Sequence, residues 1–275
     1  MTSTYRKGLI GKSLSFLKRL QLALYRTHHN FLITIKWVFS TNSTTNFDYV
    51  MSSTSKKYGL TQISQFLNVD LAELERYADE LENDLDFRER IKNQIRKSPI
   101  RGILPKEIVW GRRIFWYVIV RVAKPNIVIE TGTDKGFGST VIARALQMNG
   151  AGKLVTVDVR EPRGILTAKE TLGLPIEFVT QDSLQYLKTI NYPVDLFLHD
   201  SNHEYTHEYS EFQEVLRNLT TKGLLMTDNS NQETSLFDFA RANSLAFTNV
   251  ANNSVNFPLE ESHLGLARKL PNASE

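Results

Sequence analysis

Acidic residues sit at or just past the ends of several short apolar runs. They are Glu130 after Asn126–Ile129, Asp158 after Lys153–Val157, Asp182 after Ile176–Val179, Asp200 after Val194–His199 and Asp228 after Gly223–Thr227. Carboxylates in such places can accept hydroxyl protons, hold cations or act as bases. His203, three residues past Asp200, is a candidate general base because imidazole titrates near neutrality. Two further patterns stand out. Glu130-Thr131-Gly132-Thr133-Asp134-Lys135-Gly136-Phe137-Gly138-Ser139 is a glycine-rich exit from an apolar run. His203-Glu204-Tyr205-Thr206-His207 spells H-E-x-x-H, which on a helix would aim both imidazoles at zinc while Glu204 activates water.

The elements that must position these residues follow from the texture of the chain. From Pro125 onward, short apolar strands alternate with longer amphipathic helices. Strands are expected at 126–130, 153–158, 176–179, 194–199 and 223–227, with helices at 139–148, 183–188 and 208–219. That alternation predicts βαβ units and a parallel sheet. Two late runs, 245–250 and 264–268, are expected to add an antiparallel hairpin at the sheet edge. The glycine-rich loop then lies between a strand and a helix, where backbone amides can meet a ligand. A dinucleotide fingerprint would need glycine two residues after Gly132, but Asp134 stands there and would repel pyrophosphate. Asp182 also suits simple capping of the helix after it.

The spacing Glu130-x-Gly132-x-x-x-Gly136-x-Gly138 resembles motif I of class I S-adenosylmethionine-dependent methyltransferases. Asp200 followed by His203 and Tyr205, then Lys222-Gly223 and Asp228-Asn229, resembles the small-molecule O-methyltransferase branch (the methyltransferase domain 24 type) that includes catechol and macrolide-sugar enzymes. The resemblance spans roughly 103–269 and departs from the catechol enzymes around Asn202-His203. It implies a Rossmann-like, doubly wound, mostly parallel α/β sheet of seven strands. It also implies that Glu130, Gly132, Thr133, Gly136, Gly138 and Ser139 hold the methionine part of S-adenosylmethionine. Asp158 would take the ribose hydroxyls, and Asp182 would lie near the adenine. Metal-dependent members bind Mg²⁺ with residues corresponding to Asp200, Asp228 and Asn229. The implied activity is O-methylation of a small-molecule hydroxyl, with His203 and Asp200 as catalytic candidates. A cofactor-binding module without catalysis is the alternative, and a zinc hydrolase through His203-Glu204-x-x-His207 is a remote one.

Charge and composition narrow the partners. The 275 residues hold 33 basic and 30 acidic side chains and no cysteine, which removes disulfides and thiolate metal sites. Apolar residues at 41% and charged residues at 23% exclude wholesale disorder. The charge is uneven. Residues 1–47 carry seven basic residues and no acidic one, while the remainder has 26 basic against 30 acidic. Phosphate attraction would therefore fall on the arm, and no Asn-Pro-Pro-Tyr motif follows the fourth strand, so nucleic acid is not the expected partner. No apolar run reaches the roughly 18 residues needed to cross a bilayer.

The arm contains an amphipathic stretch over 9–24 and a second apolar run over 31–39. Residues 8–39 are thus a candidate surface for peripheral membrane or protein contact, on an otherwise cytoplasmic protein. Self-association is a further expectation. Three segments are expected: a basic arm (1–47), a linker and helical cap (48–100) and a methyltransferase domain (101–275). Within the cap, Asp70 is placed to cap a helix over 71–82.

Overall fold

The computed structural model describes residues 9–40, 50–161, 172–254 and 263–270. Residues 41–49 of the Ser/Thr/Asn-rich stretch and the segment around Pro258 lie outside them. The described residues fall into two units, 9–40 and everything from 50 onward. The first is one helix, α1 (Leu9–Ser40), so the two apolar runs of the arm are continuous. Thr27 and Thr34 return their hydroxyls to the carbonyls of Ala23 and Asn30 at 2.8 Å, which accommodates them in mid-helix. Side chains 15–39 of α1 are exposed or half-buried. Among the described residues, no helix is long and apolar enough to cross a membrane.

The second unit begins with three capped helices. Ser52 accepts from the Ser55 amide and starts α2 (Ser53–Leu67), which draws part of the expected linker into a helix. Asp70 accepts from Ala72 and starts α3 (Leu71–Glu82), as its position predicted. Asp84 accepts from Phe87 and starts α4 (Leu85–Lys97). Each cap satisfies one of the amides that a helix start leaves unpaired. Then α5 (Arg113–Ala123) follows, buried from Arg113 to Val120, and it packs against α3. Between them Glu80 accepts from Tyr117 Oη at 2.5 Å and Arg121 Nε at 2.8 Å.

The sheet contains β1 (Ile127–Thr131), β2 (Lys153–Asp158), β3 (Ile176–Thr180), β4 (Val194–His199), β5 (Leu219–Thr227), β6 (Leu245–Val250) and β7 (Leu264–Lys269). Its order is β3-β2-β1-β4-β5-β7-β6. The first five positions are parallel, and β7 runs antiparallel to both β5 and β6. This is the expected Rossmann-like seven-stranded sheet with an antiparallel edge hairpin. Between strands lie α6 (Phe137–Asn149), α7 (Ser183–Thr189), α8 (Tyr205–Leu216) and α9 (Ser235–Ala242).

Two apolar clusters form the core. One joins the cap helices, α5 and α6 to Val128, Leu154, Leu196 and Met226 of the sheet. The other joins α8 and α9 to Ile129, Val155, Phe197 and Leu225. Alternate residues of each strand supply opposite layers, which is why the central strands read as unbroken apolar runs. Strand order also reverses at β1 and β4. The crevice at their carboxyl ends is where open α/β sheets take ligands.

Candidate active site

The turn after β1 is shaped by glycine and by two acids. Gly132 has φ +84°, and a Cβ there would lie 1.9 Å from the Asp200 carbonyl oxygen. Only glycine lets the turn touch the loop after β4. Asp134 (φ +45°) and Gly136 (φ +76°) are also left-handed, and α6 starts without a side-chain cap. Asp158 closes the turn from β2. Its Oδ2 accepts from the amides of Thr133 at 3.0 Å and Asp134 at 3.1 Å, and its Oδ1 accepts from the Arg160 amide at 2.9 Å. Burial pushes this carboxyl up, but the three amide bonds outweigh it and hold the pKa below the ordinary value. Glu130 lies under the turn, 1% exposed, and accepts from Ser139 and from Thr156 Oγ1. Burial pushes its pKa up to about 7 against those hydroxyl bonds.

The loops after β4 and β5 are built differently. His199 is fully buried at the end of β4, and its Nδ1 bonds Glu211 of α8 at 2.7 Å. Glu211 also accepts from Thr131 Oγ1 and bonds His207 Nε2 at 3.0 Å. Burial would raise Glu211, but the bonds to His199 and His207 hold it far below the usual carboxylate range. The same bond raises His207. Asp200 is half-buried and accepts no hydrogen bond among the described residues. Its Oδ1 lies 3.9 Å from His203 Nε2. Burial and the charge of Asp228 raise its pKa well above the ordinary value. Burial, with His199 beside it, lowers His203 to about 4, so the ring is neutral at pH 7.

Asp228 is 2% exposed and pairs with Arg112, which is 5% exposed. Asn229 sits at φ +61° with Nδ2 2.7 Å from His203 Nε2. This arrangement tests the Mg²⁺ expectation directly. Arg112 already neutralises Asp228, so Asp200, Asp228 and Asn229 as they stand do not present an oxygen cage for Mg²⁺. A dication beside a buried guanidinium would also be repelled.

Gly132, Thr133, Gly136, Gly138 and Ser139 lie in the turn after β1 and the first residues of α6. Asp182 caps α7, accepting from the Gln185 amide at 2.9 Å. The zinc-hydrolase arrangement is corrected. Glu204 is extended (φ −70°, ψ 132°) and α8 begins only at Tyr205, so His203 precedes the helix and does not share a helical face with His207. A loop at the end of a parallel strand is needed there, and it consumes the first two residues of the motif.

Sequence reasoning passed over Arg112, Glu208 and Glu211. Signals were present for each. Arg112-Arg113 precedes the apolar run 114–120, where burial demands an acidic partner. Glu208, Glu211, Phe212 and Val215 share the i, i+3, i+4, i+7 line that faces the core.

A seven-stranded sheet of this order, with acidic residues gathered at the ends of β1, β2, β4 and β5, defines the class I methyltransferase fold. Residues 129–230 match the model of the Methyltransferase domain family. Over that segment the chain is similar to the methyltransferase domain. Its structure is similar to the O-methyltransferase from Bacillus cereus in complex with S-adenosylhomocysteine (TM-score 0.51, 16% identity, 66% of this chain and 91% of that one). It is also similar to the O-methyltransferase TomG from Streptomyces achromogenes, involved in tomaymycin synthesis and solved with S-adenosylmethionine (TM-score 0.49, 16% identity, 66% and 90%). At 16% identity the likeness to the Bacillus cereus structure shows the fold alone. No curated protein sequence matches the chain.

Proposed function

We propose that this chain transfers the methyl group of S-adenosylmethionine to a hydroxyl oxygen of a small molecule, a sugar or a natural-product intermediate. The observation that carries the reading is the backbone contact between Gly132 and Asp200. It makes the cofactor loop and the acid-bearing loop one wall, so a cofactor over the first and an acceptor over the second would be neighbours. Bound there, S-adenosylmethionine supplies a sulfonium methyl whose C–S bond breaks as the acceptor's O–C bond forms. The turn 132–136 and Ser139 would hold its methionine part, Asp158 its ribose, and Asp182 would lie near its adenine.

Asp200 takes the proton of the acceptor hydroxyl, since no donor among the described residues occupies its carboxylate. Neutral His203, 3.9 Å away, faces the same space and places no positive charge against the proton being moved. Mg²⁺ assistance forms no part of this mechanism, because Arg112 already meets Asp228.

Calorimetric titration with S-adenosylhomocysteine, followed by assay of a hydroxyl-acceptor panel for its release, tests the reading. Saturable binding that Asp158→Ala weakens, together with turnover that Asp200→Asn abolishes, is expected. Absence of binding overturns the proposal. Binding without turnover on any acceptor would favour a non-catalytic cofactor module. Residues 8–39 are proposed as a contact surface for a membrane or protein partner, which sedimentation of the full chain with anionic vesicles tests directly.

A further inference from the structure

Beneath the loop after β4, three side chains converge. One ring nitrogen of His199, one of His203 and a carboxylate oxygen of Glu208 all lie within 4.8 Å of one another. The two rings meet edge to face, with centroids 5.2 Å apart. Each ring is anchored through one nitrogen and leaves the other buried without a partner. His199 Nδ1 is held by Glu211 while Nε2 has no partner. His203 Nε2 is held by Asn229 while Nδ1 has no partner. Glu208 repeats the pattern, since Thr227 Oγ1 donates to Oε1 and Oε2 lies 3.8 Å from His199 Nε2.

Orphaned nitrogens in a fully buried histidine are costly, because desolvation is then uncompensated. An imidazole oriented by a carboxylate at its far nitrogen is the usual support of a metal-bound histidine, and hydrogen bonds likewise orient ligating carboxylates. Here Glu211, Asn229 and Thr227 supply that support to all three groups. Turning the Asn229 amide so that its oxygen accepts from Nε2–H leaves the Nδ1 lone pair of His203 available. Amide oxygen and nitrogen are nearly equivalent in shape, so the exchange needs no space.

We propose that His199, His203 and Glu208 form a binding site for a divalent first-row transition ion of the zinc type. Two imidazoles and one carboxylate leave an open position, and imidazole donors favour such ions over Mg²⁺ and Ca²⁺. The ligand atoms, within 4.8 Å of one another, must close to about 3.4 Å for tetrahedral bonds of about 2.0–2.2 Å. His203 is the entry, since it is 24% exposed while His199 is fully buried. The histidines of the H-E-x-x-H pattern thus divide. His203 joins the proposed site, and His207 bonds Glu211 and stays outside it. The site does not depend on the methyl-transfer reading.

The full chain, stripped with a chelator and titrated with Zn²⁺ and with Co²⁺, tests the proposal without any methyl acceptor. One ion per chain with a dissociation constant in the micromolar range or tighter is expected, with a visible Co²⁺ band and no displacement by millimolar Mg²⁺. Glu208→Gln and His203→Ala should each weaken binding at least tenfold, with the far-ultraviolet circular dichroism spectrum retained. His199→Ala opens a cavity in the core and is the variant least suited to the test, so Glu208→Gln and His203→Ala decide it. Less than one-tenth equivalent of bound Zn²⁺ at micromolar concentration overturns the proposal. So does unchanged affinity in both variants, or loss in His207→Ala with retention in Glu208→Gln.

Discussion

The two walls of the crevice are built to opposite rules. On the β1–β2 side, Glu130 and Asp158 spend their oxygens within the protein, on Ser139, Thr156 and the amides of Thr133, Asp134 and Arg160. On the β4–β5 side, among the described residues, Asp200 has no donor, and Asp228 Oδ1, His199 Nε2 and His203 Nδ1 are buried and unpartnered. The first wall is a finished frame whose shape is held before any ligand arrives. The second keeps polar atoms in reserve, and such atoms are tolerated where binding or chemistry will use them. Preorganisation and reserved reactivity are thus divided between halves joined at Gly132.

Breaking the Arg112–Asp228 pair on the reserved wall has the largest expected effect. Arg112→Ala leaves Asp228 buried and unpaired, and should cost about 3–5 kcal/mol in denaturant unfolding. Asp228→Ala in the same background should restore part of that loss, which a double-mutant cycle measures. Gly132→Ala attacks the joint itself. Its Cβ would strike the Asp200 carbonyl at a left-handed φ, so a loss of about 3 kcal/mol and collapse of S-adenosylhomocysteine binding are expected from thermal scans and calorimetry.

The finished wall should respond through shape. Asp158→Asn keeps the size but weakens the acceptors of three amides, and S-adenosylhomocysteine affinity should fall about tenfold, near 1.4 kcal/mol. Glu130 sharpens the comparison through pH. Its folded pKa of about 7 exceeds its ordinary 4.5, so between those values the folded state holds more protons than the unfolded one. Stability from this group is therefore full below 4.5 and is lost as pH rises through 7. Glu130→Gln should flatten that part of the stability–pH profile. The smallest effect falls outside both walls. Asp182→Ala should cost about 1 kcal/mol as a lost helix cap, and unchanged S-adenosylhomocysteine affinity would confine Asp182 to capping.

Much of this was legible along the chain because its physics is local. Strand periods, the Asp70 cap and the glycine-rich turn depend on neighbours a few residues apart, and the strands appear at 153–158, 194–199 and 245–250 as expected. The helix ends were less legible. α2 reaches back to Ser53 because Ser52 caps it, and β5 begins at Leu219 because it pairs with Val194, a partner 25 residues away. Within the site, residue type located Asp158, Asp200 and Asp228 at strand ends. Their bonding was not readable, since Arg112 stands 116 residues from Asp228.

By itself the sequence determined the fold class, the crevice at the strand ends and the acids that line it. These follow from hydrophobic period and from glycine at a turn that tolerates no side chain. Only the tertiary structure decided which polar atoms are already spent. Arg112 reaches Asp228, Asp158 bonds the loop backbone, and the two histidines of the H-E-x-x-H pattern part company because a helix begins two residues later than that motif requires. Hydrogen bonding inside a protein is a question of distance and burial between remote segments, and no local pattern carries it.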